Sequence, residues 1–317
     1  MKKFHLLLAF LFAVGAAASS THAQPASTPD AFFINLSGFP SNPYRDTNSL
    51  SQTAQVIDIT KTNLAIVVAG QSNIANVSPG TFSPVNASSL FQLNIYDGKF
   101  YPAVDPLLGA SGGQPPIETF LGNPALRLAD AIVTAGYFQR VYLVPIAIGS
   151  TAIADWATGP EAQLLPVVFL RMSEKGLVPR TNVTVIVIWG HGENDNSLKT
   201  SQSVYSAGLS TVIAQSRAAG FTGSWYIAKQ TYVQGSTSPA VQAAQAAAPN
   251  GTTIFAGPNA DPLAGNVCGP SANEACRQFD NLHWSDNGSY SYAAAWLSAL
   301  VASGAPFNIS RSCPSAE

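Results

Sequence analysis

Charge is scarce in this chain. Lys and Arg number 15 and Asp and Glu 17 among 317 residues, well under the roughly 25% charged content of an average soluble protein. The surface must therefore be covered largely by Ser, Thr, Asn, Gln and Gly. With no basic surplus to neutralise a run of phosphates, nucleic acid is not an expected partner. Long apolar runs are missing as well. The run from Leu6 to Ala18 falls short of the ~18 residues of a membrane span, and Val141 to Ile148 and Val183 to Trp189 are shorter still, so no span is expected. With His5 and His22 in the N-terminal segment read below as a removable signal, the two His that remain, no Cys cluster and scattered acids do not assemble a zinc site. No nucleotide-type Gly-rich motif appears either, and no metal or cofactor is expected. What the chain does have is apolar content, 46% of its residues, which supports a sizeable core and excludes disorder.

The first residues read as an export signal: Lys2 and Lys3, the apolar run, then Thr21-His22-Ala23 as a small-x-small cleavage site. Residues 1–23 are expected to be removed, leaving a mildly acidic, periplasmic or extracellular protein. Such a compartment is oxidising, and the eight-residue step from Cys268 to Cys276 makes that pair the easiest bridge to close. Cys313 is then left over in a polar tail.

Residues 24–62 are dense in Pro, Ser, Asn and Thr and read as a surface leader. A single domain over 63–304 follows, then a tail over 305–317. Five short β-branched runs without polar alternation, Leu64 to Val68, Val141 to Ile148, Val183 to Trp189, Trp225 to Gln230 and Thr252 to Phe255, predict strands covered on both faces. Helical patterns lie between and after them: Pro124 to Ala135, Glu161 to Lys175, Thr200 to Ala219, Pro239 to Ala248 and Gly288 to Ala302. The alternation implies right-handed crossovers and a three-layer α/β/α sandwich with a mostly parallel sheet. A Gly/Pro-rich insertion at about 78–116 interrupts the rhythm.

In open α/β sheets functional groups gather beyond the carboxyl ends of the strands. Three such ends carry polar or Gly residues: Gly70-Gln71-Ser72-Asn73, Gly149-Ser150-Thr151, and Gly190 to Asp195. Loss of the signal removes His5 and His22, so a His base is either His191 or His283. The latter follows Asp280 by three residues, a spacing that lets a carboxylate bond the imidazole Nδ1 and fix its tautomer. Ser111 matches a nucleophile-elbow pattern, but no strand precedes it and Pro115-Pro116 bars a helix after it. Ser150 and Ser72 each follow a strand and read either as nucleophile or as helix N-cap.

Four ordered blocks together resemble the SGNH hydrolase superfamily, in particular its branch of sialate O-acetylesterases and carbohydrate acetylesterases. They are Ala69-Gly70-Gln71-Ser72-Asn73; Ala147 to Ile153 with Trp156; Trp189-Gly190-His191-Gly192-Glu193-Asn194-Asp195; and Asp280 with His283, Ser285 and Gly288. The resemblance implies a flavodoxin-like fold and acetyl ester hydrolysis on an acetylated carbohydrate. It makes Ser72 the nucleophile, His283 the base and Asp280 its orienter. Oxyanion donors would be the N–H groups of Ser72 and Gly149 and a side chain of the third block, while Gln71 and Glu193 would have positioning roles. The branch normally has Gln where this chain has His191. Two repairs present themselves: His191 at the same offset from Trp189, or Asn194 through the wider G-x-N-D pattern. A His in the hole would add a titration near neutrality. Acyl transfer with the same residues, and a carbohydrate-binding protein using aromatics such as Phe91, Tyr96, Phe100 and Tyr101, are the alternatives.

Overall fold

Strand β1 (Asn63–Gly70, NLAIVVAG) is buried along its whole length, as an all-apolar run between two covered faces should be. In the computed structural model, which describes residues 57–111, 121–304 and 306–307, β1 is the middle of a seven-stranded sheet of order β3-β2-β4-β1-β5-β6-β7. The other strands are β2 (Leu90–Asn94), β3 (Lys99–Pro102), β4 (Arg140–Pro145), β5 (Val183–Gly190), β6 (Ser224–Lys229) and β7 (Ile254–Asn259). All pairings are parallel except that of β3 with β2. The chain leaves β1 toward β2 and β4 on one side and takes up β5 on the other. This places the switch point, and its crevice, at the carboxyl end of β1.

Among the described residues seven helices flank the sheet: α1 (Pro124–Thr134), α2 (Ile153–Ala157), α3 (Leu164–Glu174), α4 (Glu193–Ser197), α5 (Gln202–Ala218), α6 (Pro239–Ala247) and α7 (Asp286–Ala302). One face packs against α2, α3, α5 and α6 through Trp156, Phe169, Tyr205 and Val241. The opposite face packs against α1 and α7 through Leu126, Ile132, Tyr292 and Trp296. This is the expected three-layer sandwich. Helix starts follow their capping residues: the Asn123 side chain accepts from Ala125 N–H before Pro124, and Ser201, Ser238 and Ser285 accept from Val204, Val241 and Gly288.

The structure departs from the sequence expectations in places. The insertion contributes β2 and β3, five- and four-residue strands hidden from periodicity by the Gly and Pro around them. The helix expected from Glu161 begins at Leu164. The expected Thr252 strand begins at Ile254, because Asn250 Oδ1 accepts from the N–H groups of Thr252, Thr253 and Ile254 and makes a turn there. Ile57, at the end of the expected leader, is buried in the core. The signal segment, residues 24–56, residues 112–120, which take in the end of the insertion, and Cys313 lie outside the described residues. Among the described residues no helix is long and apolar enough to cross a membrane.

Cys268 and Cys276 are bonded, with Cα atoms 5.0 Å apart. The bridge closes the loop that delivers Cys276, whose carbonyl accepts Ser285 N–H at 3.0 Å ahead of α7. Constraining so short a loop stabilises by about 2–3 kcal/mol in the chain-entropy model. Reduction should therefore lower the thermal midpoint by several degrees, read by scanning calorimetry with thiol titration. An unchanged midpoint with both thiols free would refute it.

Candidate active site

The site is built where β1 and β5 run out side by side. Gly70 sits at φ 132, and a Cβ there would lie 2.0 Å from the Gly190 carbonyl oxygen, so only glycine permits the strands to approach this closely before turning. The chain then enters a 3-10 turn, Ser72–Ile74, with Gln71 in the cap position. Ser72 is thus the first residue of the turn, and the N-cap reading does not describe it. Its residue is 4% exposed, and its hydroxyl makes no hydrogen bond to another described residue.

Side chains next to Ser72 tie the blocks together. Gln71 Oε1 accepts from the N–H groups of Gly192 and Asn194, both at 3.3 Å, and so caps the start of α4. On the other side, buried Asn73 gives Nδ2 to Glu193 Oε1 at 2.8 Å and to the Leu282 carbonyl at 3.2 Å. It also accepts Trp284 N–H on Oδ1 at 3.2 Å and Trp284 Nε1–H on its carbonyl at 2.8 Å. Asn73 therefore holds the residues on both sides of His283 against the residue that follows Ser72. Gln278 adds a clamp, giving Nε2 to the carbonyls of Val77 (2.6 Å) and Trp284 (2.8 Å).

His283 Nδ1 lies 2.6 Å from Asp280 Oδ2, while Asp280 Oδ1 accepts the N–H groups of Leu282 (2.9 Å) and His283 (3.0 Å). Asn281 makes this tight turn at φ 52. Burial works against ionisation of Asp280, but the imidazole and the two backbone N–H groups outweigh it and hold the carboxyl at about 2. At working pH it is a carboxylate that orients the ring.

Glu193 is 2% exposed. Its Oε1 also accepts Gln230 Nε2 at 2.7 Å, and Tyr292 donates to Gln230 Oε1 in turn. Burial raises the Glu193 pKa, with the Asn73 and Gln230 hydrogen bonds opposing. Arg277 supplies the balancing charge. It is 7% exposed, lies 3.4 Å over the Trp284 ring, and donates from Nε to Leu263 O (2.9 Å) and from Nη1 to Leu282 O (2.8 Å). Burial lowers its pKa to about 10.

Sequence reasoning passed over Arg277, Gln230 and Gln278, none of which falls in a recognised block. Asn73 stood inside a quoted block without a role. Because Arg277 fixes the carbonyl next to His283, Arg277→Met should lower kcat about 10–100-fold by leaving the Leu263 carbonyl without its donor and the Leu282 carbonyl with Asn73 alone, with KM little changed. Steady-state kinetics on an acetyl ester would check this, and an unaltered kcat would remove Arg277 from the site's support.

The oxyanion side is arranged differently from expectation. Gly149 N–H donates to the Ser111 carbonyl at 2.7 Å, so that single donor is spent and is not offered to a substrate in this arrangement. Ser150, exposed and at φ 63, is not the N-cap of α2, since that position belongs to Ala152. Asn194 reaches across and gives Nδ2 to the Ser150 carbonyl at 2.7 Å. An amide carries two N–H donors, so its second remains open.

His191 is fully buried, stacked on Trp189 with centroids 5.0 Å apart. The Tyr205 hydroxyl accepts from Trp189 Nε1 (3.4 Å) and Gln245 Nε2 (3.3 Å). Its own proton is left for His191, whose carbonyl and Nδ1 both lie at 3.2 Å. Gln245 Nε2 donates to the same carbonyl at 2.5 Å, which accepts both bonds on its two lone pairs, while His191 Nε2 is buried without a partner. Burial pushes the ring down to about 3, the Thr151 backbone opposing. The ring is neutral at working pH, and the expected titration near neutrality does not arise from it.

A three-layer sandwich with Ser72 at the end of β1 and His283 paired with Asp280 has the make-up of an SGNH-type hydrolase. Residues 62–254, more than half of the chain, match the family model described as carbohydrate esterase, sialic acid-specific acetylesterase, and the chain belongs to that family of carboxylic ester hydrolases. The matched span contains Ser72, Gly149 and the His191 to Asp195 segment and stops short of Asp280 and His283. Among solved structures the chain is similar to a protein from Arabidopsis thaliana, with TM-score 0.57, 20% identity, and coverage of 78% of this chain and 99% of that one. It is also similar to NanS, with TM-score 0.50, 15% identity, and coverage of 76% and 97%. At these identities the likeness is one of fold. No curated protein sequence matches it.

Proposed function

We propose that this protein is an exported esterase that removes acetyl groups from carbohydrate by a serine mechanism. Ser72 Oγ attacks the acetyl carbonyl, His283 takes its proton and then protonates the departing sugar oxygen, and Asp280 keeps the imidazole in the required tautomer. Water, deprotonated by His283, then releases acetate from Ser72. The observation that carries the reading is the His283–Asp280 pair at 2.6 Å, held by Asn73 against the Ser72 turn from both flanks.

The donors we assign to the oxyanion are Ser72 N–H and the second N–H of Asn194, with Ser150 N–H as the neighbouring backbone donor in place of Gly149. Asn194 is partly exposed at the crest, whereas a substrate oxygen would have to reach His191 through a shell that leaves it no exposure. His191 then supports the Ser150–Thr151 turn from beneath. Export is supported by the charged and apolar pattern of residues 1–23 and by the disulfide. Against the carbohydrate-binding alternative, Phe100 and Tyr101 are buried and Phe91 stacks on Tyr142, while Tyr96 is half-buried.

The test is turnover of 4-nitrophenyl acetate by purified protein, followed by release of acetate from an acetylated sugar. Hydrolysis of neither would end the esterase reading.

A further inference from the structure

The turn that carries Asp280 holds one side chain with no part in this chemistry. Gln278 O accepts Asn281 N–H at 3.0 Å, so Gln278, Phe279, Asp280 and Asn281 form a β-turn. Three of its side chains are bonded: Gln278 Nε2 holds the Val77 and Trp284 carbonyls, Asp280 takes the His283 ring, and Asn281 Oδ1 accepts the Tyr232 hydroxyl at 2.9 Å. Phe279 is 98% exposed, the most exposed large apolar residue among the described residues, so folding draws almost no burial from it. Nor does the turn require it, since the second position of a β-turn favours Pro and makes no demand for an aromatic.

Its neighbours fix where this residue stands. Gln278 is tied to Val77, in the segment that follows Ser72, and Asp280 is tied to His283. The Phe279 Cα is one step of about 3.8 Å from that of Asp280, whose carboxylate lies 2.6 Å from the imidazole. At the other end of the turn the Asn281 carbonyl accepts Gln234 N–H at 3.1 Å, so the backbone under Phe279 is held on both sides. His283 is the group that protonates the departing sugar oxygen, which puts the sugar against the base and the acetyl group against Ser72. A side chain on the turn of the base is therefore reached by the departing sugar and not by the acetyl group.

We propose that Phe279 is a platform for a pyranose ring of the departing sugar. A pyranose presents C–H groups on its face, and these pack against the negative face of an aromatic ring. Such a contact needs no charge, and it buries the ring only when the sugar is seated. Phe279 then selects cyclic sugars and takes no share in proton transfer. The assignment rests on the esterase reading above.

The test compares two acetyl esters of polyhydroxy alcohols: cellobiose carrying one acetyl group, which offers pyranose rings, and glyceryl monoacetate, which offers hydroxyls and no ring. Phe279→Ala should raise KM for the cellobiose ester about tenfold and leave glyceryl monoacetate unaffected. Its kcat should stay at the parent value, the pattern of a contact made equally in ground and transition states. Phe279→Trp, with a larger aromatic face, should keep KM within about twofold of the parent, whereas Phe279→Leu, apolar without a ring, should behave nearly as Phe279→Ala. All three variants should melt with the parent, because the ring lies outside the core. Equal losses on both esters would make Phe279 a support of the turn and overturn the proposal. So would unchanged kinetics in Phe279→Ala, or a Phe279→Leu variant as good as the parent. Failure of the unsubstituted protein to turn over 4-nitrophenyl acetate would instead remove the esterase reading.

Discussion

Ser72→Ala and His283→Ala are each expected to lower kcat on an acetyl ester by about 10⁴–10⁶-fold while leaving the thermal midpoint near that of the parent. Neither side chain carries the core: Ser72 makes no side-chain hydrogen bond among described residues, and Asn73, Arg277 and Gln278 hold the loop around His283 besides the bond of its ring to Asp280. Members of a nucleophile–base pair act as a unit, so the double variant should be little worse than either single one. Steady-state kinetics on the two singles and the double close the cycle. The rival nucleophile is Ser150, which is exposed in a turn at φ 63. If Ser150→Ala loses activity and Ser72→Ala keeps it, the assignment moves to Ser150. Additive losses in the double variant would show two residues acting separately.

Much of this arrangement could be read from residues because it depends on local chemistry. All-apolar runs with no alternation mark strands covered on both faces, and β1, β4, β5 and β6 announced themselves that way; β7 was also located from its run but is an edge strand, half-buried or exposed along most of its length. The other two, β2 and β3, have four to five residues each and gain their place by pairing with β4 and with each other, a non-local effect with no periodic trace. The Asp280–His283 contact is a three-residue turn, visible in the spacing. The support beneath it is not: Arg277 reaches Leu263 and Leu282, and Glu193 meets Asn73 120 positions away. Such pairs exist only once β1, β5 and the segment before α7 are brought together. Nor does a sequence show which N–H is already occupied. Gly149 was legible as a strand-end glycine, but its bond to Ser111 depends on where the insertion returns to the sheet.

The oxyanion donor gives the second large effect. Asn194→Ala should lower kcat about 10²–10³-fold with little change in KM, the loss expected for one preorganised donor. His191→Gln should keep most of the activity, since a fully buried ring acts only by supporting the turn above it. The result that reverses the assignment is a tolerated Asn194→Ala beside an inactive His191→Ala. His191→Gln carries a second readout. The folded state holds the imidazole at about 3 against an ordinary value of 6.5, so between those values the unfolded chain binds more protons and acidification destabilises the parent through this residue. The stability it contributes is complete above about pH 6.5 and is lost as pH falls toward 3. Replacing the ring by an amide removes that component, and the thermal midpoint of His191→Gln should decline less steeply than that of the parent from pH 7 to pH 4. A steeper or equal decline would mean that the ring is solvated and protonates freely in the folded protein. It would then stand open to substrate, and His191 would regain its claim to the oxyanion hole.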